Sequence, residues 1–413
     1  MNKITVDDFS SPESMRDVIG FYKKLTENQE PLIRLDDYYG RGPAWVAVSH
    51  EDTVAILKDP RFIKDMRKLM PSQDQQESSQ DPSTEDSMKE QFEWIMNMPN
   101  MLEVDPPDHT RLRRLTSKAF TPRMIENLAP RIQQITDELL DAVEEKGEID
   151  LITDFAFPLP FRVISEMLGI PISDQDKIRD WTHKIMSGNA DPSQSATVMK
   201  ALNEYIHYIR TLLEEKRKHP SEDVISALVH SHDQGDKLSE NELLSTIALL
   251  IIAGHETTTN LIGNGMVALQ QHPEQLVLLR ENPSLLPSAI EELLRFSGPI
   301  MHSYRFAGED MTMHGKTIRK GELMLFSLGT ANFDPQKFSR PEVLDITRQE
   351  NEHLAFGKGI HHCLGAPLAR LEAQIAFGTL LERLPNLRLA VKPEQLVYNK
   401  NAIRSIASIP MFF

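Results

Sequence analysis

The chain has 413 residues, 40% hydrophobic and 26% charged, with a net charge of −16. That acidity argues against a nucleic-acid partner, because phosphate binding wants a basic face. One cysteine in the whole chain excludes an internal disulfide and fits a reducing compartment.

The length would allow two or three domains. No Gly/Ser- or Pro-rich linker and no internal repeat divides it, so a single domain over residues 1–413 is expected. Met1 to Ser10 is polar and acidic, unlike a signal peptide. The longest apolar run, Ile247 to Ala253, is seven residues, against about 20 for a membrane span. A cytoplasmic protein without a membrane anchor is expected.

The stretch up to Phe62 mixes short strands and helices. Ala44–Val48 reads as a strand and Asp52–Lys58 as a helix that stops before Asp59-Pro60. Residues 71–90 are acidic and polar, a flexible loop that buries too little to order itself. The apolar Phe92, Trp94, Ile95, Met96, Met98 and Met101 follow it. They suit a ligand pocket or plain core.

From Asp105 the pattern is mostly helical. Helices are expected at Arg111–Phe120, Pro122–Glu145, Phe161–Leu168, Asp174–Ser187, Ala196–Lys218, Asp223–Ser231, Glu240–Gln271, Pro273–Glu281 and Leu285–Phe296. Short strands follow at Tyr304–Ala307, Met311–Met313, Thr317–Ile318 and Leu323–Phe326, then a last helix at Leu368–Arg383. The fold class is mainly α with small β-sheets: a small β-rich lobe near the N-terminus and a larger helical lobe.

The helix Glu240–Gln271 opens on a capping-box pattern, Ser239 to Glu242, and would form a rod of roughly 45–50 Å. It is apolar nearly all round at Ile247–Ala253, as a core helix is. It then carries Gly254-His255-Glu256-Thr257-Thr258-Thr259-Asn260. A carboxylate and three threonines inside a buried helix form either a satisfied structural network or a working site. Threonine hydroxyls that bond back to carbonyls can also open such a helix.

Glu292 and Arg295 sit at i,i+3 among apolar residues, so they share a helix face as a buried pair. His109 and Arg113 share one face of their helix, and Arg111, Arg114 and Lys118 form a second basic stripe. Cys363 lies in Phe356-Gly357-Lys358-Gly359-Ile360-His361-His362-Cys363-Leu364-Gly365. Glycines around one thiol describe a backbone that bends sharply and lies close to something flat. Its uncovered N–H groups can hold the sulfur as a thiolate. The pattern Phe-Gly-x-Gly-x-His-x-Cys-x-Gly arises by chance on the order of once in a million chains of this length.

On these residues the chain resembles the cytochrome P-450 family, in particular its soluble bacterial members. Ala253-Gly254-x-Glu256-Thr257 is similar to the family's oxygen-activation stretch, and Asp105 to Arg114 resembles its haem-flanking helix start. The resemblance implies the cytochrome P-450 fold, with haem b (iron protoporphyrin IX) between the long helix and the cysteine loop. Cys363 would be the axial ligand to iron, framed by Phe356 and Gly365. His109, Arg113, Arg305 and His361 would hold the haem propionates. Ala253 would line the haem site, and Gly254 would leave room for a dioxygen-sized ligand. Glu256 would relay protons and Thr257 would hydrogen-bond the bound oxygen.

Glu292 and Arg295 would lock the core near the cysteine loop. A third partner, often an arginine, is replaced by Val343, leaving Arg340 or Arg348 to serve. The implied activity is insertion of one atom of O2 into a hydrophobic small molecule. Electrons from NAD(P)H would arrive through a separate ferredoxin or flavodoxin and its reductase, docking at Arg111, Arg114, Lys118 and Lys358. Pocket residues are expected in Met96–Met101, Leu249–Ala253, Pro299–Ser303 and Ala402–Ser405. A peroxygenase on the same fold would lack the acid–alcohol pair. A non-catalytic haem or metal sensor is the alternative from another class; for zinc, His361-His362-Cys363 alone cannot wrap a tetrahedral ion.

Overall fold

Ser239 caps the longest helix of the computed structural model, which describes residues 4–27, 29–38, 42–69, 98–118, 120–188, 195–230, 236–400 and 403–413. The capping box forms in both directions. The Ser239 hydroxyl accepts from the Glu242 N–H at 3.3 Å, and the Glu242 carboxylate accepts from the Ser239 N–H at 2.7 Å. The helix runs unbroken over Glu240–Gln271, 32 residues or about 48 Å. The expected local opening does not occur. Thr257 and Thr259 bond back to the carbonyls of Ala253 and His255 at 3.0 and 2.9 Å, and the ladder continues past both.

Other helices surround this rod. Pro158–Leu168, Leu286–Ser297 and Ala366–Arg383 all pack against it. Boundaries shift where first-turn residues are read too strictly. Ser49 caps a helix at His50–Lys58, and Asp223 caps Val224–Val229 by accepting from the Ser226 N–H at 2.7 Å. Asp108–Ser117 begins before the expected Arg111.

The expected helix Pro122–Glu145 is two helices, Pro122–Glu126 and Ala129–Glu144. Pro130 has no N–H to give to a carbonyl one turn back, and its ring crowds that carbonyl. A π-helical turn at Leu151–Ala156 was not expected; Asp150 caps it by accepting from the Ile152 N–H at 2.9 Å. The acidic loop 71–90 and the positions Phe92, Trp94, Ile95 and Met96 lie outside the described residues.

The strands in chain order are β1 (Leu32–Leu35), β2 (Ala44–Ala47), β3 (Phe62–Ile63), β4 (Glu148–Asp150), β5 (Ser303–Ala307), β6 (Met311–Met313), β7 (Lys316–Ile318), β8 (Leu323–Phe326), β9 (Arg388–Leu389) and β10 (Pro410–Phe412). The largest sheet has the order β1-β2-β8-β5-β3. Only β2 and β8 run parallel in it, with Ala44 opposite Leu323. The sheet β4-β10-β9 brings the C-terminal strand to the start of the π-turn. One large apolar core encloses the long helix, and smaller clusters lie against the five-stranded sheet.

Candidate active site

The loop before helix Ala366–Arg383 is shaped by two glycines in the left-handed region, Gly357 at φ +67° and Gly359 at φ +75°. A Cβ on Gly359 would stand 2.5 Å from the Leu57 carbonyl oxygen, so no other residue fits there. The Cys363 N–H donates to the Phe356 carbonyl at 3.0 Å and closes the loop. The thiol is exposed to solvent on one side while protein atoms surround the rest. Burial raises its pKa. The Gly365 and Ala366 N–H groups and the Arg113 and Arg370 guanidiniums pull the other way. The sulfur also sits at the positive end of helix Ala366–Arg383.

On the long helix, Leu249, Ile252, Ala253, Glu256 and Thr257 are accessible, while Ala248, Leu250, Ile251, His255, Thr258 and Thr259 are buried. These positions follow i, i+3, i+4, i+7, i+8, so one stripe of an otherwise buried helix opens onto a cleft. Ala253, Glu256 and Thr257 therefore share that face. Asn260 Nδ2 donates to the Glu256 carbonyl at 2.8 Å and lies 3.4 Å from its Oε1.

A Cβ on Gly254 would meet Ile164 of the neighbouring helix at 2.7 Å, so the missing side chain lets Ile164 pack close to the long helix.

His109 and His361 lie with ring centroids 4.5 Å apart, and all four ring nitrogens are buried without a hydrogen-bond partner. Burial lowers the His109 pKa, with Arg113 adding to the effect. Burial, then Arg305, His109 and Lys64, push His361 down to about 3. Arg305 is buried and donates to the Tyr304 carbonyl at 2.8 Å. Buried cations and orphaned imidazoles call for an anion. Carboxylates of a flat cofactor above an accessible thiol satisfy both, so the residues present fit haem.

The basic stripe divides. Arg111 ion-pairs with Glu242 and stands 3.7 Å from Asp236, so it secures the cap of the long helix. Arg114 and Lys118 are exposed, and Lys358 is half-buried.

Glu292 and Arg295 are fully buried and bonded twice, both at 2.8 Å. The third partner is Arg348, 3.1 Å from Glu292, with Asn351 also at 3.1 Å. Arg340 does not take this place. The Val343 carbonyl accepts from Arg295 at 3.1 Å, so the backbone supplies what a side chain there does not.

The adjacent Glu291, missed in the sequence, holds Arg370 at 2.6 Å and His353 at 3.1 Å, and Arg370 stacks over Phe356 at 4.6 Å. The signal was Glu291 beside Glu292 with Arg370 on the helix that follows the cysteine loop.

Within two of the expected pocket stretches some side chains are spent on packing. Met301 is buried and occupies the space beside Gly329, while His302 packs edge-on against Phe9 and Phe21. Arg404 is spent on the Met15 carbonyl at 2.7 Å. Met98 and Met101 are buried, and Ala402 lies outside the described residues. Among the described residues no cluster of three His, Cys, Asp or Glu side chains could hold a metal. No helix among them is long and apolar enough to cross a membrane.

A glycine-shaped loop presenting one thiol, a core helix with an open acid–alcohol stripe, and a buried cationic rim together define a haem-thiolate protein. Residues 26–402 match the family model described as Cytochrome P450. The chain is 69% identical over 413 residues to Cytochrome P450 CYP107DY1 of Priestia megaterium, covering 100% of both. It is 44% identical over 372 residues to Cytochrome P450 monooxygenase PikC of Streptomyces venezuelae, covering 89% of this chain and 84% of that protein. The solved structure of PksS, the cytochrome of the bacillaene polyketide synthase of Bacillus subtilis 168, superposes with a TM-score of 0.88 at 39% identity, covering 98% of each chain. The chain belongs to the cytochrome P-450 family. It is an oxidoreductase, a haem iron monooxygenase that uses O2 and electrons originating in reduced nicotinamide nucleotide.

Proposed function

We propose that the enzyme carries haem b and inserts one oxygen atom into a hydrophobic small molecule, by hydroxylation or epoxidation. The observation that carries this is the open stripe Leu249, Ile252, Ala253, Glu256 and Thr257 on a helix that packs against the one following Cys363. Bound haem supplies oxygen activation, and a thiolate ligand favours O–O cleavage.

The chain's own residues do the rest. Cys363 Sγ ligates, with the Gly365 and Ala366 N–H groups favouring its charged form. His109, Arg113, Arg305 and His361 hold the carboxylates. Leu249, Ile252 and Ala253 offer an apolar wall to the substrate and exclude water. Glu256 relays protons from solvent toward Thr257, whose Oγ1 stands on the same open face. The polyketide-synthase context in the name of the PksS relative makes polyketide-like acyl compounds the first class to screen.

Electrons come from a separate ferredoxin or flavodoxin and its reductase, docking near Arg114, Lys118 and Lys358. The family match across residues 26–402 supports one functional unit over the whole chain, with a small β-rich lobe and a larger helical one; the cytoplasm is its proposed compartment. The retained Glu256-Thr257 pair disfavours a peroxygenase.

The test is turnover of a bound hydrophobic substrate with NADPH, ferredoxin and reductase. Product should require the ferredoxin. Thr257→Ala should still consume NADPH and oxygen while product forms roughly 10²-fold more slowly. Unchanged coupling in that variant would remove Thr257 from proton delivery.

A further inference from the structure

The helix Leu286–Ser297 carries two adjacent carboxylates that leave it in different directions. Glu292 goes to Arg295 and Arg348. Glu291 crosses to the helix after Cys363. Its Oε1 accepts from Arg370 Nε at 2.6 Å and its Oε2 from Arg370 Nη2 at 2.8 Å. That two-pronged geometry fixes the guanidinium in one orientation.

The same Oε2 lies 3.1 Å from His353 Nε2. His353 Nδ1 accepts from the Ala355 N–H at 3.2 Å, so the proton of the ring is on Nε2 and is donated to Glu291. One carboxylate therefore organises a guanidinium and a neutral imidazole. Burial raises the Glu291 pKa, but the hydrogen bonds from Arg370 and His353 outweigh it and bring it down to about 2. The carboxylate stays charged at neutral pH.

Both partners converge on the start of the cysteine loop. Arg370 lies over the Phe356 ring at 4.6 Å, and the His353 ring stands 6.0 Å from it. The Phe356 carbonyl holds the Cys363 N–H at 3.0 Å. His353 grips the backbone one residue earlier, at Ala355. A partly exposed ion pair on its own contributes little. This one ends on the ring and the backbone that seat the sulfur, and the Arg370 charge reaches Cys363 itself.

We propose that Glu291 is a positioning residue for the thiolate. Through Arg370 and His353 it holds Phe356, and by neutralising Arg370 it sets the reduction potential of the iron that Cys363 ligates. This rests on the haem-thiolate reading above and gives a role to a carboxylate outside the motifs of the sequence. Iron held by a porphyrin dianion and one thiolate is neutral when ferric and singly negative when ferrous. A positive charge nearby favours reduction and a negative one opposes it. Paired, Glu291 and Arg370 largely cancel; a pair that only packed the loop would carry no such sign.

The test is the reduction potential of the purified, haem-loaded protein, read from its absorption spectrum, for Glu291→Gln, Arg370→Gln and the double variant. Glu291→Gln leaves Arg370 uncompensated and should shift the equilibrium toward ferrous iron about tenfold, a rise of about 59 mV for one electron. Arg370→Gln leaves Glu291 uncompensated and should shift it the other way by a similar factor. The double variant should return to within about twofold of the wild type. Shifts of the same sign in the two single variants would mean that loop packing alone is at work. Unchanged potentials in both would mark the pair as a strut. Either result overturns the proposal. Should Arg370→Gln fail to take up haem, Glu291→Gln decides alone, and an unchanged or lowered potential there overturns it. A wild-type protein whose reduced carbon monoxide complex lacks the thiolate band would instead bring down the haem-thiolate reading and this proposal together.

Discussion

Cys363 and Glu372 are nine positions apart and have opposite surroundings. Cys363 presents an accessible thiol at the end of its loop, whereas Glu372 is sealed beside the Thr258 hydroxyl. Burial pushes its pKa up to about 8 from an ordinary 4.5, against a smaller pull from the Thr258 hydroxyl. The folded chain therefore keeps a proton that the unfolded chain has lost. A pKa raised on folding stabilises fully below pH 4.5, and that stability is lost as pH rises toward about 8. Glu372→Gln removes the dependence. Its melting temperature should match the wild type near pH 4 and exceed it by more than about 4 °C near pH 8. Parallel melting profiles for the two proteins would show that Glu372 is ionised in the folded state. Sequence alone marked Cys363 through its glycines. It did not mark Glu372, because its burial comes from helices distant in the chain.

At the scale of elements, the long helix was legible from its cap to its terminating proline, because capping boxes, apolar periodicity and Pro are local signals. The π-turn Leu151–Ala156 and the break before Ala129 carried weaker signals, and both were missed. The packing role of Gly254 was not legible, because what a glycine lets come close depends on the neighbouring helix, here Ile164. Gly254→Ala should force that helix away and cost about 1–3 kcal/mol. In an Ile164→Ala background the same change should cost much less, as a double-mutant cycle on denaturant midpoints would report. A single variant as stable as the wild type would mean that the contact gives way freely.

Across the whole molecule, the parts that hold the site come from distant stretches. Arg295 donates to carbonyls of Asn332 and Pro341, both at 2.8 Å, while Glu292 gathers Arg348 and Asn351. Asn264 of the long helix donates to the Arg404 carbonyl at 2.8 Å, and Arg404 reaches the Met15 carbonyl. These long-range joints were illegible in the sequence, except where a motif such as Glu292–Arg295 advertised one end. His109 and His361 show the same limit: they were named from a family resemblance, and only the fold brings their rings to 4.5 Å.

The most direct measurement is the absorption spectrum of the purified, reduced protein with and without carbon monoxide. A Cys363 thiolate on haem iron predicts a strongly red-shifted Soret band that Cys363→Ala abolishes. A band typical of histidine-ligated haem in the wild type, or no haem band in a folded, haem-replete preparation, would contradict the account.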